Sequence, residues 1–489
     1  MSEEKPEIMV QDPYDLIIRN AEIVNADGRM KGDIAITGGR IAQVGEVTGT
    51  ANEVVDAGGK LVLPGGVDPH CHIEQMSGMG QMNADTFETA TRSAALGGTT
   101  SLISFAAQAK GQQLREALGD YAARAARGAI VDHAFHLSIS DCSVPDFERD
   151  LGELIDAGHR SIKVFTTYNI RLGDADILDV MTTARRHGAL VCVHAENDAL
   201  INWTRNRLIA QGKHAPTFHT PSHPRLAEIE AVERMCRFAE YLGQPMMLFH
   251  ISTSEAVDAL KRAQQRGVPV VAETCPHYLT MGPEVLEAPG TEGAKWMCSP
   301  PQRGESDRQA LWQALDEDVL QLVSSDHAPY RNDETGKLSA GRNARFDQIA
   351  NGMPGLQTRL PVLFDAIVSK GRGSLESFVR LTSTAPAQIY GLTHKGRVAP
   401  GYDADLVIWD DKRRYRYGEN DLGDNVGYNP YVGYEITGMP EQVFLRGKLL
   451  VKDGMFNGEP GQGAWLKRDQ IGVAATTPAP EAQLVLNEG

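Results

Sequence analysis

Apolar runs and amphipathic stretches alternate through the middle of the chain. A buried parallel strand shows as a short, nearly continuous apolar run, whereas a helix shows apolar positions three or four residues apart. Helix-like stretches such as Thr86–Leu96 and Glu255–Arg266 separate runs of the first kind. Eight such runs occur: Leu61–Asp68, Thr99–Phe105, His133–Ser140, Ser161–Thr166, Ala189–His194, Met246–Ser252, Val268–Thr274 and Leu320–Ser325. Eight strands that alternate with helices predict an α/β fold with a closed (β/α)8 TIM-like barrel rather than an open sheet.

Both ends of the chain follow a different pattern, with strand-like segments and no helix between them. Near the N-terminus, Gly38-Gly39 separates two short apolar segments, which is a hairpin signal. The strand-like segments are Asp15–Arg19, Ala21–Val24, Asp33–Thr37, Arg40–Val44, Asp405–Ile408, Gln442–Arg446 and Lys448–Val451. We therefore predict one small β-sandwich domain to which both termini contribute.

These patterns divide the chain into four segments. Residues 1–64 and 395–460 are predicted to form the two parts of the β-sandwich, and residues 65–394 the barrel. Residues 461–489 form a C-terminal tail that is rich in Ala and Pro from Thr476 onward. We expect the part from Thr476 onward to be loose or packed on a neighbour.

The composition is that of an ordinary globular protein, with 489 residues of which 42% are hydrophobic and 23% charged. The formal net charge of −16 argues against a polyanionic partner such as nucleic acid. The polar N-terminus, Met1–Pro13, lacks the pattern of a signal peptide, and no segment is apolar enough to span a bilayer. The six cysteines include no CxxC pair, so we expect reduced thiols in a soluble, cytoplasmic protein without a membrane partner.

Polar side chains recur at the C-terminal ends of the predicted barrel strands, where barrel enzymes place their catalytic groups. His70 and His72 follow the first strand and, two residues apart in an extended segment, point to the same side. Taken alone, each such residue has a structural interpretation, for example a hydrogen-bonded core histidine or a helix N-cap. Together they indicate a metal site, because imidazole and carboxylate groups bind zinc-like ions. The set comprises His70, His72, Lys163, His194, His250 and Asp326.

Nine motifs extend this pattern over nearly the whole chain. They are DLIIRNAEIV, LPGGVDPHCH, IKVFTTY, VHAEN, FHIS, ETCPHYL, CSPPQR, SSDHAPY and GRVAPGYDADLVIWD. With these motifs the chain resembles the hydantoinase/dihydropyrimidinase branch of the amidohydrolase superfamily. The resemblance implies a dimetal hydrolase that opens cyclic amide rings, ureides or imides such as hydantoins or dihydropyrimidines. It also implies a small-molecule substrate and a homo-oligomer, which in this family is often a tetramer.

The resemblance assigns a role to each residue of the candidate metal site. It implies two divalent ions, Zn²⁺ or alternatively Mn²⁺ or Co²⁺, held by the six side chains named above. Lys163 would carry a CO₂-derived carbamate (N6-carboxylysine), since a cationic lysine would repel the metals. The first histidine pair and Asp326 would bind the more buried ion, and the two later histidines the more exposed one. A metal-bridging hydroxide would attack the ring carbonyl while Asp326 acts as general base and then as general acid.

Two further residues match substrate contacts of the family. Tyr168 matches the tyrosine that stabilises the developing oxyanion, and Ser299 matches the serine whose backbone meets the ring amide. Their structural alternatives are a packing residue at the barrel mouth and a turn residue before Pro300. His277 is interpreted as a structural residue near the site, and Cys71 as a packing residue.

The chain departs from dihydropyrimidinases in the segments expected to contact the ring. FTTYN replaces a segment that resembles FMAYK, and Asn351-Gly352-Met353-Pro354-Gly355 replaces a GTNG-like turn. Pro354 has no N–H, so this part of ring recognition cannot be carried over. The loop Ile73–Gln81 is rich in Met and Gly, which suggests an adaptable pocket wall. We expect the substrate preference to be set by Thr166, Thr167, Asn169 and the Met353-Pro354 turn.

Four alternatives stay open at this point. The segment GLQTRLPVLFD is similar to allantoinases, so an allantoinase or another cyclic amidohydrolase is the first of them. Dihydroorotase is disfavoured because Ile73-Glu74, rather than an arginine, follows His72. A non-catalytic dihydropyrimidinase-like scaffold would have lost metal ligands, whereas all six residues are present here. A phosphate-binding barrel would need a glycine-rich loop at the later strands, which the sequence lacks.

Overall fold

The computed structural model describes residues 13–486, and the expectations for residues 1–12 and 487–489 lie outside this range. The described chain begins with five strands: β1 (Tyr14–Asn25), β2 (Gly28–Thr37), β3 (Arg40–Gly45), β4 (Ala51–Asp56) and β5 (Leu61–Pro64). β1, β2 and β3 form an antiparallel meander, while β4 and β5 both lie parallel to β1. These strands form one part of a mixed sheet that the C-terminal strands complete.

The central segment forms eight parallel strands in sequence order, and helices connect them. The strands are β6 (Gly66–Cys71), β7 (Thr99–Ala107), β8 (Asp132–Ser138), β9 (Ser161–Phe165), β10 (Leu190–His194), β11 (Met246–Leu248), β12 (Val270–Thr274) and β13 (Leu322–Val323). The α-helices are α1 (Phe87–Leu96), α2 (Leu114–Gly128), α3 (Phe147–Asp156), α4 (Asp174–His187), α5 (Asp198–Ala210), α6 (His219–Ser222), α7 (Arg225–Leu242), α8 (Ser254–Gln265), α9 (Pro276–Thr280), α10 (Glu305–Asp316), α11 (Arg359–Phe364), α12 (Leu375–Val379) and α13 (Ala385–Ile389). Short 3₁₀ turns lie at Pro216–Phe218, Pro283–Glu287, Glu292–Trp296 and Phe346–Gln348, and π turns at Asp365–Ser369 and Arg380–Thr384. The predicted (β/α)8 barrel is confirmed.

The two ends of the chain share one mixed sheet. After the barrel come β14 (Leu406–Arg416), β15 (Glu435–Leu445), β16 (Lys448–Lys452) and β17 (Met455–Phe456), followed by α14 (Pro480–Leu486). β14 lies antiparallel to β5, so the strands of both ends form a single nine-stranded sheet. Its apolar residues enclose one core, which includes Ile18, Ile34, Val62, Leu406 and Phe444. The prediction that both termini build one small β domain is confirmed.

The prediction of Leu61–Asp68 as one barrel strand is wrong, because the structure divides this run between two sheets. β5 belongs to the terminal sheet, and the first barrel strand, β6, begins at Gly66. The break lies at Gly65, whose N–H donates to the carbonyl of Asp405 over 2.8 Å. A Cβ atom at Gly65 would clash with the side chain of Thr100, so only glycine lets the chain pass from one sheet to the other. The sequence carries a signal for this break, because Pro64-Gly65-Gly66 interrupts the apolar run, and the prediction of one strand overlooked it.

The end of the chain packs on the rest of its own chain, so the expectation of a loose tail from Thr476 onward is wrong for the described residues 476–486. The N–H of Thr476 donates to Gly243 O over 3.0 Å, and the N–H of Ala479 donates to Tyr241 O over 2.9 Å. Ala482 of α14 is fully buried. The small side chains of this segment allow close packing against the barrel, which composition alone does not reveal.

Two expectations about the chain as a whole concern membranes and cysteines. Between residues 13 and 486, no helix combines the length and the apolar character that crossing a bilayer requires. All six cysteines are free thiols, and all but Cys142 are buried, in line with the expected reduced state.

Candidate active site

His70, His72 and Asp326 meet at the C-terminal end of the barrel. His70 lies in β6, His72 directly follows it, and Asp326 lies three residues beyond β13. The Nε2 atom of His70 lies 3.0 Å from Oδ1 of Asp326, and Nε2 of His72 lies 3.4 Å from the same oxygen. This group could hold a metal ion, since one donor atom from each residue lies within 4.8 Å of the others. Burial alone would raise the pKa of Asp326, but the two histidines outweigh it and hold that pKa well below its usual range.

Lys163 projects from β9 into this region without a polar partner. Its Nζ atom is buried, and none of the described residues accepts a hydrogen bond from it. Aromatic rings surround the amine: Nζ lies 3.9 Å from the ring centre of Phe249 and 4.8 Å from that of Phe165. The ring of His70 lies 4.1 Å from the same Phe249 ring, which places Lys163 beside the metal-binding group. Burial lowers the pKa of Lys163 to about 7, so the neutral amine is populated near neutral pH.

His194 and His250 complete the set. His194 ends β10, and His250 lies two residues beyond β11. Their ring centres are 4.5 Å apart, and the ring of His250 lies 5.5 Å from that of His70. Burial lowers the pKa of both histidines, which keeps the imidazoles in the neutral form that binds metals. The structure therefore brings all six predicted ligand residues to one end of the barrel.

Two of these side chains also show features typical of a functional site. His250 has a φ of 41° and Asp326 a φ of 46°, a conformation uncommon for residues other than glycine. The buried Nδ1 atom of His250 has no hydrogen-bond partner among the described residues. Buried polar atoms are normally paired, so this nitrogen and the Lys163 amine fit a site that binds additional atoms.

Tyr168 and Ser299, the two candidate substrate residues, border this group. Tyr168 follows β9 with a φ of 73°, and its ring centre lies 5.0 Å from that of His194. Burial, reinforced by the charge of Glu196, raises the pKa of Tyr168 well above its ordinary value, while the neighbouring Ser299 side chain acts in the opposite direction. The phenol therefore keeps its proton at neutral pH and can donate a hydrogen bond. The Oγ atom of Ser299 accepts a hydrogen bond of 3.1 Å from Nδ2 of Asn351.

Comparison with known proteins agrees with this geometry. Residues 61–450 match the Amidohydrolase family. A D-hydantoinase from Rhizobium radiobacter is 40% identical over 457 residues, which cover 93% of this chain and 99% of that protein. The chain belongs to the hydantoinase/dihydropyrimidinase family. A D-hydantoinase from Ralstonia pickettii is 39% identical over 457 residues, with the same coverage of 93% and 99%. The crystal structure of a dihydropyrimidinase from Brevibacillus agri matches with a TM-score of 0.90 and 35% identity, covering 93% of this chain and 99% of that one.

In this hydantoinase-family site, two residues that sequence analysis missed contact the first histidine pair. The Oε1 atom of Glu273 lies 2.5 Å from Nδ1 of His70, and Oε1 of Gln75 lies 2.7 Å from Nδ1 of His72. Each contact occupies Nδ1 and leaves Nε2 facing Asp326. Outer partners of this kind fix the tautomer and the ring orientation of metal-binding histidines. Glu273 could have been found, because a buried acid in the apolar run VVAET is the same signal that singled out Lys163.

Glu196 plays the corresponding part for one member of the second histidine pair, His194. Its Oε2 atom lies 2.9 Å from Nε2 of His194, and its Oε1 atom lies 2.8 Å from Nδ1 of His223. The carboxylate is fully buried, and the adjacent His223 and His194 outweigh the effect of burial and hold its pKa well below its usual range. His223 gave no signal in the sequence, because it lies in a loop without apolar periodicity.

The polar residues expected to set the substrate preference are largely engaged with the protein itself. Thr166 Oγ1 donates to the carbonyls of His194 and Glu196, over 3.0 and 2.8 Å. Thr167 Oγ1 lies 3.2 Å from a carboxylate oxygen of Asp198, and Asn169 Nδ2 donates to a backbone carbonyl of the Met-rich loop over 2.7 Å. These side chains therefore shape the site by holding neighbouring loops in place.

The remaining residues singled out in the sequence lie around the site. Cys71 is buried, with its Sγ atom 3.7 Å from the carbonyl of Ile103, as expected for a packing residue. His277 is buried in α9, where burial lowers its pKa to about 4, and its Nε2 atom has no partner among the described residues. Met353 and Pro354 are both buried, and Met353 O accepts a hydrogen bond of 2.9 Å from Ala328 N–H.

Proposed function

We propose that this protein hydrolyses an amide C–N bond of a five- or six-membered cyclic ureide or imide, opening the ring to a carbamoyl or related acid. The relatives named D-hydantoinase and dihydropyrimidinase support this substrate class. The observation that carries the proposal is the buried Lys163 amine, without a polar partner, beside four histidines and Asp326 at one end of the barrel. Nothing in an ordinary protein core favours burying an amine in this way.

The donor set fits two divalent metal ions. We propose that Lys163 is modified to N6-carboxylysine when its neutral amine adds to CO₂ and releases a proton, because the unmodified amine lacks a partner. The group of His70, His72 and Asp326 would hold one ion, the other two histidines the second, and the carbamate oxygens would serve both. Imidazole and carboxylate donors favour Zn²⁺, with Mn²⁺ or Co²⁺ as alternatives. Such ions, when bound, polarise a carbonyl group and lower the pKa of water.

Asp326 and Tyr168 are the proposed catalytic residues. The Oδ1 atom of Asp326 lies beside both histidines of the first pair, where a carboxylate can accept the proton that attacking water loses and return it to the leaving nitrogen. The phenol of Tyr168 would donate to the carbonyl oxygen as negative charge develops on it. The backbone of Ser299, on the same side of the site, would position the ring amide.

The substrate preference is proposed to favour a substituted hydantoin. Met76, Met79 and Met82 are each about half-exposed in the loop that follows His72, and flexible thioether side chains adapt well to apolar substituents. Pro354 offers no N–H to a ring, so we expect weaker activity on dihydrouracil. The allantoinase-like segment contributes Arg359, which is fully buried and donates to backbone carbonyls of β6 and β13, so it does not itself indicate allantoin as the substrate.

A substrate panel with metal analysis on the same sample tests this proposal. We expect two metal equivalents per chain and the highest kcat/KM on a substituted hydantoin, with lower values for dihydrouracil and allantoin under identical metal loading. If dihydrouracil is clearly the best substrate, the interpretation of the Pro354 turn is wrong. If allantoin is the best, the protein is an allantoinase. A metal-free protein without turnover on any of the three would instead be a scaffold.

Assembly, location and domain limits extend the proposal. By family resemblance we propose a homotetramer, which light scattering tests directly, and a cytoplasmic location, which cell fractionation tests. We also propose domain limits at residues 64/65, 394/395 and 460/461. The passage from β5 to β6 at Gly65 supports the first limit. Limited proteolysis should cut near these limits before it cuts within the barrel.

A further inference from the structure

The barrel has a seam between its first and last strands. β6 pairs with β7 and β13 pairs with β12, but within residues 13–486 the two strands form no ladder with each other. Backbone contacts across this seam are a bridge between Cys71 and His327 and a hydrogen bond of 2.7 Å from the N–H of His72 to His327 O. The candidate ligands His70 and His72 lie on one side of the seam, and Asp326 lies on the other.

The guanidinium group of Arg359, the first residue of α11, crosses this seam. Its Nη1 atom donates to Val67 O in β6 over 3.0 Å and to Val323 O in β13 over 3.1 Å. Its Nη2 atom donates to Thr99 Oγ1 in β7 over 3.2 Å. The side chain is fully buried. One planar group with fixed donors thus satisfies carbonyls of two strands that do not pair with each other.

The carboxylate of Asp68 also connects the two sides of the seam, but it accepts hydrogen bonds where Arg359 donates them. Its Oδ1 atom accepts hydrogen bonds from the N–H groups of His70 and Ser325, each over 3.2 Å. Its Oδ2 atom lies 3.4 Å from Nε of Arg359. Because these N–H groups belong to His70 and to the residue before Asp326, the carboxylate fixes the backbone on both sides of the metal-binding group.

We propose that Asp68 and Arg359 are positioning residues that hold His70 and Asp326 at ligand distance across the barrel seam. The inference rests on the proposed function, since it concerns the geometry of the metal site. Stability alone does not explain a buried ion pair, because its replacement by apolar residues of similar volume is often neutral or stabilising. Gly66 leaves room for the pair, as a Cβ atom there would lie 3.1 Å from Nη2 of Arg359.

The test compares Arg359→Met with Arg468→Met as a matched control. Arg468 is a second buried arginine, which donates to Phe135 O over 2.6 Å and does not touch the seam. We expect Arg359→Met to weaken the binding of one metal equivalent about 10- to 100-fold, the usual effect of removing a contact behind a ligand. The absorption spectrum of the Co²⁺-loaded protein should change, and kcat should fall more than KM rises. Arg468→Met should lower Tm without this selective loss.

Two conservative variants keep the test decisive if Arg359→Met fails to fold. Arg359→Lys retains a cationic donor and should recover part of the metal affinity, whereas Asp68→Asn should show the same selective loss as Arg359→Met. Wild-type metal affinity in Asp68→Asn would overturn the proposal, as would equal metal loss from the two arginine variants at equal Tm. If the wild-type protein itself binds no metal and opens no ring, the proposed function has failed rather than the role of the seam.

Discussion

The Nζ atom of Lys163 lies 3.9 Å from the ring centre of Phe249, and no acceptor among the described residues reaches it. An aromatic face stabilises an ammonium group, but the free-energy cost of burying the charge without a counter-ion exceeds this cation–π stabilisation. The balance favours the neutral amine, which is the species that reacts with CO₂. The apolar surroundings of Lys163 therefore prepare it for the proposed modification.

Lys163→Ala should remove both metal ions and the activity, because it deletes the carbamate that serves both sites. Small carboxylic acids such as acetate or propionate should restore part of both by occupying the space of the lost carbamate. Metal content per chain and turnover, each measured with and without the acid, check this. Lys337→Ala is the matched control, since Lys337 is equally buried but donates to a backbone carbonyl, and it should keep its metal. Full metal occupancy in Lys163→Ala without added acid would contradict the role of Lys163.

Asp326→Asn should keep the fold and lose most of the turnover. The amide has nearly the same shape and still presents an oxygen beside His70 and His72, but it cannot take up the proton. Loss of a general base typically lowers kcat by about 10²- to 10⁴-fold. The measurement is kcat at equal metal content, with Tm as the check on folding. Near-normal turnover of the metal-loaded variant would assign proton transfer to another group.

Glu273→Gln should weaken metal binding while leaving Tm close to that of the wild type. The amide can still meet Nδ1 of His70, but it removes the negative charge that makes the imidazole a stronger donor, an effect of about 10- to 100-fold in metal affinity. A chelator titration gives the affinity. Asp365→Asn changes another buried carboxylate, which contacts Thr437 N–H and Lys370 rather than a candidate ligand, and should leave the affinity unchanged. A metal affinity equal to that of the wild type would show that the contact of 2.5 Å has no effect on the ligand.

Lys337 should make stability depend on pH in a defined direction. Burial lowers its pKa to about 7 from 10.5, so between these values the unfolded chain binds more protons than the folded one. Stability due to this residue therefore rises with pH across that window, by at most about 1.4 kcal/mol per pH unit. The Tm of the wild type minus that of Lys337→Met should therefore increase as pH rises from about 7 to about 10. Lys452→Met, at an exposed lysine, controls for the removal of a lysine as such. A constant or narrowing difference would contradict the sign.

The architecture and the six candidate ligands could be predicted because they depend on local patterns. Strand and helix periodicity is written in consecutive residues, and each candidate ligand follows or interrupts an apolar run in the sequence. The passage at Gly65 was overlooked although Pro64-Gly65-Gly66 interrupts the apolar run, and the crowding by Thr100 that requires glycine at position 65 is visible only in the structure. The packing of the tail was not predicted either, because its carbonyl and N–H partners lie elsewhere in the chain.

The contacts across the barrel seam were not predicted from the sequence. Asp68 appeared only as the end of a predicted strand, and Arg359 only as part of a segment similar to allantoinases. Their partners are backbone groups of strands far away in sequence, such as Val67 and Val323 for Arg359. Backbone carbonyl and N–H groups are the same in almost every residue, so no pattern in the sequence can point to them. Glu273 differs, because a buried charge inside an apolar strand was visible and was overlooked.

The pairing of Val62 in β5 with Ile408 in β14 has a consequence for how the chain is made. The whole barrel lies between these strands in sequence, so β5 leaves the ribosome long before its partner has been synthesised. The edge of β5 stays unpaired while the barrel is translated, and unpaired strand edges of this kind pair with other chains. Such distant pairings also fold slowly. A nascent chain that stops short of β14 would therefore expose an incomplete sheet, and we expect truncated products to aggregate even where their barrels have formed.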